Sequence, residues 1–190
     1  MYKTNGTKIM KKNQTIPILL KNPKILLIGG GNVALQKAKV LQHNNIDFHI
    51  ISQTLHPDIL KTTNNIEKKR FKKKHLKNFY IIIDATGEDQ VTKKLLKHKR
   101  NHSVLLNIVD NPQYCDFYFM ALTKNQPLQI AVSSNGASPT AAKFFRDECE
   151  KLIPKDISKY LKKKQKQRDK GIIKKEKTHK ELLKQKKKNN

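Results

Sequence analysis

Gly29, Gly31 and Ala34 fall at the three small-residue positions of a G-x-G-x-x-G/A spacing, directly after the apolar run Ile25-Leu26-Leu27-Ile28. The chemistry of that pattern is anion binding. The first glycine turns the chain tightly, the second lets a pyrophosphate approach the backbone, and the small third residue lets a helix pack close to the strand. Gly30, Asn32 and Val33 complete the turn, and a helix from Asn32 to about Asn44 would aim its free N–H groups and positive dipole end at the phosphates. A plain tight turn between strand and helix uses the same residues, so both readings stand at this point.

The ribose hydroxyls of a dinucleotide usually meet an acid about 20 residues further on, at the end of the second strand. Here the strand Phe48-His49-Ile50-Ile51 ends in Ser52-Gln53-Thr54, without a carboxylate. Hydroxyl and amide groups can still bond a ribose, but the choice between NAD and NADP stays open. A second candidate anion site is the loop Ser133-Ser134-Asn135-Gly136-Ala137-Ser138-Pro139 ahead of a helix. A serine-capped helix start accounts for it equally well. Asp110 stands before Asn111-Pro112, where an aspartate commonly forms a turn. The seven histidines show no ligand spacing with cysteine or acidic partners, so no metal site is expected.

The elements that must position these residues alternate. After the second strand come a short helical turn near Pro57, a weak strand over Ile66 to Phe71 and a strong apolar strand over Tyr80 to Ala85 ending in Thr86-Gly87. A helix over Gln90 to Arg100 follows, with Asp89 as its cap and Val91, Leu95 and Leu96 on one face, and then a strand over Val104 to Val109. This order predicts an α/β fold with a mostly parallel sheet, whose ligands bind outside the carboxyl ends of the strands. That rule selects Gly29 to Val33, Ser52 to Thr54, Ala85 to Gly87 and Asp110, four strand ends on one edge. Beyond them, Phe117 to Ala121 and Leu128 to Val132 read as a hairpin across Thr123 to Pro127, followed by a helix over Thr140 to Leu152.

Composition sets the class. The 190 residues carry a formal net charge of +26, which by itself would suggest nucleic acid, a membrane surface or an acidic substrate. Lys159 to Asn190 holds 15 lysines and arginines against three acids and reads as a solvated tail or a polar helix. A second cluster, Lys68-Lys69-Arg70 with Lys72 to Lys74, lies beside the third strand, where it could meet a polyanion. Lysine is abundant throughout, so a basic surface needs no ligand, and specific nucleic-acid binding is not expected. Two cysteines, Cys115 and Cys149, suit a reducing compartment. The apolar stretch Ile16 to Leu20 contains Pro17 and meets Lys21, which is too short for a membrane span. A cytoplasmic location is expected.

Four segments in this order, Gly29-Gly30-Gly31-Asn32-Val33-Ala34, Asp84-Ala85-Thr86, Asn107 to Pro112 and Ala131 to Pro139, resemble the precorrin-2 dehydrogenases. These are also called sirohydrochlorin ferrochelatases and form the amino-terminal module of siroheme synthases. The resemblance covers about Ile16 to Lys155. It implies a Rossmann NAD-binding domain over 1–112, a dimerisation hairpin region over 113–138, a small helical domain over 139–161 and a lysine-rich tail over 162–190. It implies a homodimer that passes a hydride from precorrin-2 to NAD, giving sirohydrochlorin, with ferrous iron inserted by some members.

By the same resemblance Gly29, Gly30, Gly31, Asn32, Val33, Ser52, Gln53, Thr54 and Thr86 contact the cofactor. Asp110 falls on the catalytic aspartate, and Ser134, Asn135 and Gly136 on the tetrapyrrole pocket, where the serine is phosphorylated in some members. A carboxylate at position 110 would serve as the base that takes a proton as the hydride leaves. No methyltransferase domain lies in these residues, so a separate methyltransferase is expected upstream. The rival readings are another NAD(P)-binding oxidoreductase and a basic protein that binds nucleic acid or acidic surfaces.

Overall fold

Short runs of branched aliphatic residues form the sheet: Ile25–Ile28 (β1), Phe48–Ile51 (β2), Ile66–Glu67 (β3), Ile81–Asp84 (β4) and Leu105–Ile108 (β5). The computed structural model describes residues 15–16, 18–123 and 127–171. All five strands are parallel in the order β3-β2-β1-β4-β5. This is the strand order of a doubly wound Rossmann sheet through its fifth strand, with β1 at its centre.

Side chains alternate across the pleat. Ile25, Leu27, Phe48, Ile50, Ile81 and Ile83 face one layer, where they bury Ala34, Leu35, Ala38 and Leu41 of the helix Asn32–His43 (α1). Leu26, Ile28, Ile51, Ile82, Leu106 and Ile108 face the other layer, with Val91 and Leu95 of the helix Asp89–Lys99 (α2). Burying each such side chain contributes about 1.5–3 kcal/mol. The position of α1 over β1 therefore rests on core packing.

Several elements differ from the sequence expectation. The third strand is only Ile66–Glu67, because the chain turns at once, with the Lys69 N–H donating to the Glu67 carbonyl at 2.9 Å. Phe71 instead joins the α2 layer. Asp89 is the first residue of α2 rather than its cap, and the preceding Glu88 N–H donates to Thr86 Oγ1 at 3.0 Å.

The hairpin shrinks to Ala121–Leu122 (β6) paired antiparallel with Ala131–Val132 (β7). Phe117 leaves the strand because its carbonyl accepts from Asn107 Nδ2 at 2.9 Å, and Phe117 and Phe119 pack on the α1 layer. The expected turn at 124–126 lies outside the described residues.

A helix over Pro139–Lys151 (α3) packs on β6 and β7. The last helix, Ile157–Asp169 (α4), runs through Lys162, so the start of the lysine-rich segment is helical. Its remainder, 172–190, lies outside the described residues.

Candidate active site

The parallel sheet brings the carboxyl ends of β1, β2, β4 and β5 to one edge, as the strand-end rule requires. Hydrogen bonds tie these ends together: Gly29 N–H donates to the Ile51 carbonyl at 3.0 Å, Ala85 N–H to Ile28 at 2.8 Å, and Val109 N–H to Asp84 at 2.9 Å. Gly29, Ser52, Ala85 and Asp110 thus stand at the head of neighbouring strands.

The glycine turn is shaped by close approach. Gly29 has φ +118°, and a Cβ there would lie 2.7 Å from the Ala85 carbonyl oxygen. At Gly30 a Cβ would overlap the Thr54 carbonyl oxygen and stand 2.7 Å from Ser52 Oγ. The spacing pattern treats Gly30 as a free position, yet it is the most tightly packed of the three glycines. The Gly30 carbonyl also accepts from His56 N–H at 2.7 Å, which locks the glycine turn to the loop after β2.

Gly31 behaves differently. Nothing lies within 4 Å of where its Cβ would be. It caps α1 without a side-chain hydrogen bond, and the first turn contains no acid. The first backbone bond of the helix is Leu35 N–H to Gly31 at 3.0 Å, which leaves the N–H groups before it for a ligand. An open approach, free amides and a positive helix end fit a pyrophosphate. Asn32 and Val33 are exposed beside it, and Gln53 and Thr54 are exposed at the end of β2. Ser52 Oγ donates to the Thr54 carbonyl at 2.7 Å, so that loop is ordered by its own serine.

Asp84, an acid at the end of an otherwise apolar strand, is 2% exposed. Its Oδ1 accepts from Thr86 N–H at 3.0 Å and Thr86 Oγ1 at 2.7 Å, and its Oδ2 from Thr92 Oγ1 at 3.0 Å. Thr86 lies at the site edge, but its hydroxyl proton is committed to Asp84. Asp84 is therefore the residue that fixes this loop, a role visible in sequence only as a carboxylate closing a buried strand.

Asp110 is exposed and holds φ +63°, a left-handed conformation that aspartate tolerates better than most residues. Its carboxylate has no hydrogen-bond or ion-pair partner among the described residues. Its charge acts on Lys37 of α1, which the spacing pattern does not single out. Burial pulls the Lys37 ammonium below the usual lysine range, and the charges of Cys115 and Asp110 draw it partly back up. Its Nζ stands 5.1 Å from the centre of the Phe119 ring. Burial likewise pushes the Cys115 thiol up, and its Sγ accepts from Ile108 N–H at 3.3 Å.

The loop before α3 folds on itself. Ser134 Oγ accepts from Ser138 N–H at 2.8 Å, and Asn135 and Gly136 both have positive φ. Ser138 caps α3 by accepting from Ala141 N–H at 3.1 Å. The capping role thus belongs to Ser138, while the Ser134 hydroxyl donates to no group among the described residues.

The basic cluster after β3 divides. Lys73, Lys74 and Lys77 line a groove with Tyr80, His98 and Val104 at the amino ends of β4 and β5, away from the glycine turn. Those lysines do not join the candidate site.

Comparison with known proteins gives a consistent picture. An NAD(P)-binding family matches residues 16–121, and the central region of sirohaem biosynthesis proteins matches residues 125–152. The chain is 29% identical over 145 residues to the siroheme synthase of Mannheimia succiniciproducens, covering 73% of this chain and 30% of that protein. It is 32% identical over 145 residues to the siroheme synthase of Blochmanniella floridana, covering 74% and 31% respectively. The chain thus spans about 30% of the length of the relatives it matches. Among solved structures it superposes on SirC, a precorrin-2 dehydrogenase, with a TM-score of 0.58 at 21% identity, covering 79% of this chain and 76% of that one. That likeness is one of fold.

Proposed function

Because the chain belongs to the NAD(P)-binding family whose model matches residues 16–121, and its residues 125–152 match the central region of sirohaem biosynthesis proteins, we propose that it oxidises precorrin-2 to sirohydrochlorin with NAD. The observation that carries this reading is that the open Gly31 turn and the Asp110 carboxylate, which has no partner among the described residues, follow carboxyl ends on one edge of the parallel sheet. The bound nicotinamide supplies the hydride acceptor. Gly31 and the free amides at Asn32 and Val33 hold the pyrophosphate. Ser52, Gln53 and Thr54 meet the ribose through uncharged groups, and Thr86 lines the loop beside it.

Asp110 takes the proton that leaves as the hydride departs, a role worth about 10²–10⁴-fold in rate. The Ser134 hydroxyl, with Asn135 and Gly136, contacts the tetrapyrrole. Ferrous iron enters this reading as a substrate, with Asp110 accepting pyrrole protons as the ion enters the ring. Among the described residues no group of three or more His, Cys, Asp or Glu side chains is arranged to hold a metal.

A homodimer completes the proposal. On α3, Phe144 and Phe145 are each 58% exposed with their rings 5.5 Å apart edge to face, and Leu152, which caps the helix at its carboxyl end, is 63% exposed. Apolar side chains this exposed on one helix suit a face that a second copy covers.

The test is an anaerobic assay with precorrin-2 generated in situ, following NADH formation and the tetrapyrrole spectrum with NAD or NADP, then adding ferrous iron. NAD-dependent formation of sirohydrochlorin supports the reading. A folded, NAD-binding protein that changes neither signal removes the substrate assignment.

A further inference from the structure

Lys37 lies on the seam of the buried stripe of α1, three residues after Ala34 and four before Leu41, and is itself half-buried. A partly desolvated ammonium is costly unless its N–H donors are satisfied. Among the described residues it has no hydrogen bond and no ion pair. What it has is the face of Phe119, 5.1 Å from Nζ, and the charges of Cys115 and, more weakly, Asp110 within electrostatic reach, Asp110 having no ion-pair partner among the described residues. The ring is itself held in place: Asn107 Nδ2 donates to the Phe117 carbonyl at 2.9 Å, and the Phe117 and Phe119 rings pack edge to face at 5.5 Å. A cation on a fixed aromatic platform, coupled through its charge to Asp110 at the carboxyl end of β5 and with no donor spent among the described residues, is arranged to receive an anion.

We propose that Lys37 is a substrate-binding residue, whose ammonium receives one carboxylate of an anionic macrocyclic substrate beside Asp110. The proposal rests on the reading of this edge as the site where a polycarboxylate tetrapyrrole is oxidised. It assigns Lys37 to substrate and not to cofactor, because Lys37 lies beyond the first turn of α1 whose free amides face the pyrophosphate. The carboxylate supplies the missing hydrogen bonds and the Phe119 face keeps the ammonium aimed. A charge-assisted bond of this kind orients the ring relative to the base as well as adding affinity.

The experiment measures steady-state kinetics for Lys37→Met and Lys37→Arg, together with direct titration of each protein with uroporphyrin, a polycarboxylate tetrapyrrole that needs no turnover. Lys37→Met is expected to raise KM for precorrin-2 and weaken uroporphyrin binding by about ten- to a hundredfold. KM for NAD stays unchanged, and Lys37→Arg recovers most of the loss. Unaltered uroporphyrin binding by Lys37→Met, or a fall in kcat alone, overturns the proposal. The two readings fail separately. If wild-type protein does not oxidise precorrin-2 but Lys37→Met still loses uroporphyrin, the reaction falls and the binding role stands. If turnover is normal and binding is unaffected, the reverse holds.

Discussion

The carbonyl oxygen of Thr54 occupies the space that a Cβ on Gly30 would need, so the loop after β2 seats directly on the glycine turn after β1. Two consecutive glycines therefore have separable roles. Gly30→Ala is expected to lower stability by about 1–3 kcal/mol, since Thr54 and Ser52 must move. Gly31→Val is expected to keep the melting temperature close to wild type while losing NAD affinity, because its side chain enters open space where the pyrophosphate belongs. Thermal melts paired with NAD titrations check both. A Gly31→Val protein that binds NAD normally would contradict the assignment of the turn.

Asp84 accepts three hydrogen bonds while 2% exposed, which makes it the strut of the loop after β4. Asp84→Ala strands the donors of Thr86 and Thr92 and is expected to cost about 2–4 kcal/mol. Denaturant unfolding measures the loss. Asp84→Asn is expected to be milder, because one amide oxygen still accepts from Thr86, while Thr92 must rotate its hydroxyl.

These two cases mark what the sequence reveals and what it hides. β1, β4 and the helix between β1 and β2 are legible because long apolar runs and a clean helical stripe leave one way to bury them. The convergence of four strand ends follows from the parallel order alone. The tight packing at Gly30 is not legible, since it depends on a carbonyl 24 residues away. Lys37 is hidden because a lysine on a helix reads as solvent-facing, and only its place between Ala34 and Leu41 hints otherwise. Strand ends at β3 and β6 are set by single competing bonds, from Lys69 N–H and to the Phe117 carbonyl, that propensity does not register. α4 is marked only by Ile157 and Leu161 one turn apart in a lysine-rich stretch.

His98 is buried and stacked on His102 with ring centroids 3.8 Å apart. Burial, together with the charges of His102 and Lys73, lowers its pKa from the ordinary histidine value. The folded state therefore favours neutral His98, and the stability this contributes is present above the unfolded pKa and lost as pH falls through the lower folded one. Melting temperature is expected to fall from pH 7 to pH 5, and His98→Phe is expected to flatten that slope. An identical slope in the variant would show that His98 is not its source.

The exposed α3 face is expected to lie between two copies. Phe144→Asp with Phe145→Asp should shift the molar mass measured by light scattering from dimer to monomer without unfolding α3. A wild-type protein that is monomeric at all concentrations would contradict the dimer.

The most direct test of the central claim compares wild type with Asp110→Asn in the anaerobic precorrin-2 assay, with NAD affinity measured in parallel. The expected result is NAD-dependent formation of sirohydrochlorin by wild type, and a loss of about 10²–10⁴-fold in kcat for Asp110→Asn at unchanged NAD affinity. Normal turnover by Asp110→Asn would contradict the role of that carboxylate as the base.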